Sequence, residues 1–167
     1  MTARAQPQFA LRPYLPQDAE ALAEIFRLSI EELTEDDYSP EQQQAWVSVA
    51  DDEEKFAARL GDNLTLIATL EGSPVGFITL KDNRSIELLY VHPAVARHGV
   101  GGLLVEAVEK LAAARGAAQL VVDASDTARD FFARRGYQPE QRNSVFLGDE
   151  WLTNTTMKKH LAKGSAR

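Results

Sequence analysis

Apolar positions recur along the chain with two periods, and the switches between them mark out the elements. From Ala19 to Glu32 the residues Leu22, Ile25, Phe26, Ile30 and Leu33 fall three and four apart, which predicts a first helix with one buried stripe. Phe9–Pro13 before it reads as a short strand, and Pro16-Gln-Asp18 punctuates the two. Ser39 and Pro40 suit the N-cap and first position of a second helix running to about Ala50. A third, Asp51 to Leu60, is closed by Gly61. The period then changes. Leu64, Leu66, Ala68 and Leu70 alternate with Thr65, Ile67 and Thr69, and turn residues at Glu71-Gly-Ser-Pro74 and Asp82-Asn-Arg84 set off two further strands, Val75–Leu80 and Ile86–Val91.

The helical period returns after Pro93. Gly99, Gly101 and Gly102 open a helix whose Leu104, Val108 and Leu111 face inward, leaving Glu106, Glu109 and Lys110 for solvent, and Arg115-Gly116 ends it. Ala118–Asp123 reads as a buried strand after a crossover helix, the connection that joins parallel neighbours. Ser125-Asp-Thr127 caps a helix over Ala128–Arg135, with Ala128, Phe131, Phe132 and Arg135 on one side and Gly136 at its end. Tyr137–Leu147 and Glu150–Lys158 form a closing pair of strands. With no internal repeat or linker, the pattern predicts one α/β domain over residues 1–167, with 1–7 and 162–167 disordered.

Composition narrows the function classes. At 167 residues and 44% hydrophobic content the chain can bury a core, and a net charge of −7 argues against nucleic acid or an anionic membrane as partner. A cationic substrate is easier to accommodate, although Glu31, Glu32, Glu35, Asp36 and Asp37 are read first as a solvated face. The absence of cysteine excludes disulfides and thiol intermediates, and the three histidines have no metal-ligand spacing, so no metal is expected. Without a signal-type or membrane-length apolar run, a cytoplasmic protein is expected.

The chemistry is concentrated where the fourth strand meets the glycine-opened helix. A helix start leaves backbone N–H groups without intrahelical partners and adds the positive end of the dipole. Residues 98–102 (His98, Gly99, Val100, Gly101 and Gly102) are therefore built as an anion cradle with Arg97 beside it. Gly-x-Gly alone also serves plain turns, and His98 suits a surface turn as well as a phosphate contact. Lacking the Lys and Ser/Thr of a phosphate loop, the stretch does not read as a nucleotide-binding module.

In this context the stretch resembles the acetyl-CoA-binding motif of the GNAT acetyltransferases, Gln/Arg-x-x-Gly-x-Gly/Ala, with Ala96 at the first position and Arg97 one place later. The run Ser125 to Tyr137 resembles a second family motif, Asn-x-x-Ala-x-x-Phe-Tyr-x-x-x-Gly-Phe, with Ser125, Ala128, Phe131 and Phe132 at matching positions. The resemblance implies a mixed, mostly antiparallel sheet with helices on both faces, and acetyl-CoA as co-substrate. It also implies that the fourth and fifth strands splay near Leu89, Tyr90 and Val91, freeing backbone groups for pantetheine and thioester.

Glu87, on the fourth strand with the parity of Leu89 and Val91, is the candidate base, because an amine of pKa near 10.4 must first lose a proton. A surface glutamate on an antiparallel strand is the alternative. Where the family has a tyrosine to protonate the leaving thiolate, this chain has Phe132, so Ser125, Tyr137 or water is considered instead. Trp46 and Tyr38 are read either as acceptor-pocket walls or as packing. The expected reaction is acetyl transfer to a small-molecule or peptide amine by direct attack in a ternary complex. A non-catalytic CoA-binding or sensor domain is the rival, and a homodimer is left open.

Overall fold

The computed structural model describes residues 8–162, so the stretches 1–7 and 163–167, expected to be disordered, lie outside the described residues. Seven strands form one sheet in the order β1-β2-β3-β4-β5-β7-β6: β1 Phe9–Pro13, β2 Leu64–Leu70, β3 Ser73–Lys81, β4 Ser85–Val91, β5 Gln119–Ser125, β6 Gln138–Leu147 and β7 Glu150–His160. Every neighbouring pair is antiparallel except β4 and β5, which run parallel after the crossover helix. The helices are α1 Ala19–Leu33, α2 Pro40–Val47, α3 Glu53–Gly61, α4 Val100–Ala114 and α5 Arg129–Arg134.

Two cores lie on opposite faces of the sheet. On one, Leu104, Val105 and Val108 of α4 pack on Ile78, Leu80, Ile86, Leu120 and Val122. On the other, Leu22, Phe26 and Ile30 of α1 and Phe56 and Leu60 of α3 pack on Ile67, Phe77 and Leu88. Each such side chain, fully buried, contributes about 1.5–3 kcal/mol. The predicted stripe of α1 is buried as its spacing requires, apart from Leu33 at the open end.

Local details depart from the sequence pattern for identifiable reasons. The second helix stops at Val47 and a 3₁₀ turn carries the chain over Ser48–Ala50. Gly61 is the last residue of α3 rather than its cap, because the Asn63 side chain donates to the Arg59 carbonyl at 2.7 Å and closes the helix instead. Ser125 ends β5 and its hydroxyl accepts from the Ala128 N–H at 3.1 Å, so the short α5 begins only at Arg129. Glu109, expected in solvent, accepts from Lys159 at 3.0 Å and from the Tyr137 hydroxyl at 2.8 Å.

Candidate active site

Glu87 is where the sheet opens. Leu80 pairs with Ile86 and Thr79 with Leu88, so Glu87 is the extra residue of a bulge in β4. A bulge bends its strand and steepens the local twist. Consistently, β4 pairs with β5 only at Ser85–Val121 and Ile86–Val122, and beyond that level the two strands diverge. The His92 N–H donates to the Val75 carbonyl at 2.8 Å, and strand alternation therefore turns the main-chain groups of Leu89 and Val91 towards β5, into the gap.

The bulge also corrects the parity expected for Glu87. Ile86, Leu89 and Val91 belong to the α4 face, whereas Leu88 and Tyr90 belong to the α1 face. Glu87 goes with the second group, its carboxylate accepting from Arg59 of α3 at 3.1 Å. The simple period-2 reading of β4 fails because one residue has been inserted into the ladder.

A cavity of about 1260 Å³ runs through the split and opens on both faces. On the α4 face it reaches the start of α4, where Gly99 takes φ 86° and the first intrahelical bond, from Leu103 to the Gly99 carbonyl, leaves the N–H groups of Val100, Gly101 and Gly102 pointing outward. Phe131 covers Gly101, where an added Cβ would lie 3.3 Å from its ring. Arg97, Ser125 and Ala128 complete this side, and Phe132 is buried beneath it against Tyr137. His98 alone of the expected site residues lies off the cavity. It is exposed, and its N–H is used by the Val95 carbonyl at 3.2 Å, so the cradle begins at Gly99.

Arg135 is a site residue the sequence did not single out. From the end of α5 it reaches over the first turn of α4, where a Cβ on Gly102 would sit 1.8 Å from its Nη2, and it stacks 4.9 Å from the Phe131 centroid. Among the described residues, Arg97, Arg134 and Arg135 line this side of the cavity without a carboxylate partner. A chain of net charge −7 thus holds a local cationic patch against a helix start.

On the α1 face the cavity is walled by aromatic and aliphatic side chains. Trp46 donates from Nε1 to the Tyr90 hydroxyl at 3.2 Å, and burial pushes the Tyr90 phenol up to about 12, so it stays neutral near pH 7. Asp123 of β5, one step beyond the last β4–β5 pair, lines the same half and accepts from Thr156 at 2.6 Å. Of the hydroxyls considered as acids, Tyr137 is ruled out by position. It does not itself line the cavity: its hydroxyl is committed to Glu109, which also takes Lys159, and burial together with Glu109 raises its pKa well above the ordinary range. Ser125 remains within reach of the gap.

The described residues contain no group of three or more His, Cys, Asp or Glu placed to hold a metal, and no helix long and apolar enough to cross a membrane.

A sheet split between two parallel strands beside a glycine-opened, arginine-flanked helix defines the class of acyl-CoA-dependent N-acyltransferases. Comparison fixes the family: residues 34–161 match the acetyltransferase (GNAT) domain, and the chain belongs to the GNAT N-acetyltransferases. The N-acetyltransferase YafP of Escherichia coli strain K12 is 32% identical over 148 residues, covering 89% of this chain and 93% of that protein. A GCN5-related N-acetyltransferase crystal structure from Rhodopseudomonas palustris shares 60% identity at TM-score 0.91, covering 96% of this chain and 99% of its own. The PaiA N-acetyltransferase of Thermoplasma acidophilum, solved with coenzyme A, matches in fold at TM-score 0.78 and 22% identity, over 92% and 99% of the two chains.

Proposed function

We propose that this acetyltransferase moves an acetyl group from acetyl-CoA to a primary amine by direct attack in a ternary complex. The observation that carries the reading is the two-pair limit of the β4–β5 ladder next to the open first turn of α4. The coenzyme supplies an activated thioester carbonyl. The N–H groups of Val100, Gly101 and Gly102, with Arg135 and Arg97, suit its diphosphate. Backbone groups of Leu89 and Val91 suit pantetheine and the carbonyl oxygen, where a fixed donor stabilises developing negative charge.

Glu87 takes the amine's proton, directly or through a water, from the α1 side of the gap. The amine nitrogen then bonds to the acetyl carbon as the carbon–sulfur bond breaks, and the second proton it sheds passes to the thiolate through solvent or the Ser125 hydroxyl. No cysteine is present to carry the acetyl group, which leaves both substrates to be held together.

Thermal melting with acetyl-CoA, CoA and ATP tests the binding half. At 100-fold excess over Kd the coenzymes should add about 2.7 kcal/mol, or roughly 5–10 °C in Tm. Stabilisation by ATP alone would remove the assignment. Release of CoA thiol that depends on an added amine tests the transfer half.

A further inference from the structure

The acceptor side of the cavity carries a chemical signature of its own, which bears on the choice of amine if the acetyl-transfer reading holds. We infer that the acceptor is a small amine with a single positive charge and an apolar body, rather than a polyamine or a polypeptide.

Charge sets the first limit. The acidic run from Glu31 to Asp37 does not line the cavity: Glu31, Glu32, Glu35, Asp36 and Asp37 are exposed, and Asp37 is occupied by the Thr127 hydroxyl at 2.8 Å. The charged groups on the α1 side are Glu87, Asp123 and Arg59, two carboxylates against one guanidinium. Arg59 already occupies one Glu87 oxygen. What remains matches one ammonium, and a second or third cation on the same acceptor would find no further carboxylate lining this side.

The walls set the second. Phe26, Ile30, Trp46, Tyr90 and Leu152 supply the apolar part of this half; the Trp46 indole is spent on the Tyr90 hydroxyl, and the Thr34, Tyr38 and Thr153 hydroxyls beside them donate within the protein. Such a lining rewards apolar bulk and offers little to a peptide backbone.

Closure sets the third. One route for an acceptor chain out of the pocket, the seam between α2 with the residues before it and the β6–β7 hairpin, is bonded shut. Gln42 donates to the Trp151 carbonyl at 2.8 Å, the Tyr38 hydroxyl donates to the Thr153 carbonyl at 2.6 Å, and Gly148 lies against Ala45.

The test uses the full chain with saturating acetyl-CoA and follows both CoA release and acetylated product. Propylamine, butylamine and hexylamine, alike in charge and basicity, should show kcat/KM rising about 3- to 4-fold per methylene. Spermidine and an unblocked tetrapeptide should fall at least 10-fold below hexylamine. The Trp46→Ala variant should flatten the alkyl series, provided acetyl-CoA still stabilises it. A flat alkyl series, spermidine or peptide as the best acceptor, or bound coenzyme with no amine acetylated would each overturn the acceptor class. Failure of the wild-type chain to bind acetyl-CoA would instead bring down the transfer reading itself, and the acceptor class with it.

Discussion

Glu87 has one carboxylate oxygen tied to Arg59 and the other open to the cavity, an arrangement that fixes the side chain without using up its proton-accepting capacity. Glu87→Gln should therefore lower kcat by about 10²-fold or more, the usual range for a positioned base, while acetyl-CoA shifts Tm as in the wild type. An unchanged kcat would take Glu87 out of the mechanism. Arg135 is separable by cutting the ligand. Arg135→Gln should weaken CoA and dephospho-CoA alike by about 10- to 100-fold, as for the loss of a charge-assisted hydrogen bond, and leave S-acetylpantetheine unchanged. Equal loss on all three would mean that Arg135 only supports the fold, and loss confined to CoA would place it on the 3′-phosphate. Glu87 stood out in the sequence as a carboxylate in an apolar strand, but its face was hidden, because nothing local announces an inserted residue in a ladder. Arg135 stood out for helical spacing only. Its approach to Gly102 depends on how α5 packs on α4, which no local pattern announces.

The segment joining α1 to α2 works as a strap across two strands, β5 and β7. The Tyr38 hydroxyl donates to Thr153 of β7 and accepts from the Asp126 N–H after β5 at 2.9 Å, while Gln43 of α2 donates to the Ile30 carbonyl at the end of α1 at 3.1 Å. Burial raises the Tyr38 phenol above its ordinary range, so the hydroxyl keeps its proton and its donor role. Tyr38→Phe leaves a half-buried carbonyl and a half-buried N–H without this partner, which costs at most about 1–3 kcal/mol and should lower Tm by up to roughly 3–10 °C. If the strap also closes the acceptor seam, the same variant should raise activity on the tetrapeptide relative to hexylamine. A Tm within 1 °C of wild type would deny the strap its role. Periodicity made α1 and α4 readable, since each buries one stripe, while turn residues delimited the β2–β4 meander, whose strands are buried on both faces. The strap was not readable: Tyr38 and Thr153 lie 115 residues apart, and no local pattern ties them.

Across the whole molecule, two carboxylates act as clasps between elements that the chain separates. Asp18 receives both Arg12 nitrogens at 2.8 Å and the Leu15 N–H at 2.8 Å, fastening β1 to the start of α1. Asp126 receives Arg142 of β6 and the Thr153 hydroxyl, fastening the β5 turn to the closing hairpin. The Arg12 guanidinium holds the Asp18 carboxyl below the usual carboxylate range, and the Arg142 guanidinium does the same for Asp126. A carboxyl whose folded-state pKa is depressed contributes stability that is complete above the unfolded value, near 3.9, and is lost as pH falls through the folded value. Between pH 7 and the pI near 5.0 the net charge of −7 shrinks, which relieves self-repulsion and opposes any early loss. Urea midpoints should accordingly hold or rise slightly from pH 7 to 5 and fall steeply below about pH 4. Asp18→Asn and Asp126→Asn should each lower the midpoint at pH 7 and make the acid limb shallower. The two clasps share no side chain, so the double variant should show the sum of the two losses within about 0.5 kcal/mol. A double variant whose midpoint declines below pH 4 as steeply as the wild type would show that acid unfolding is governed by other carboxylates, and that these two ion pairs hold geometry without setting the pH limit of the fold.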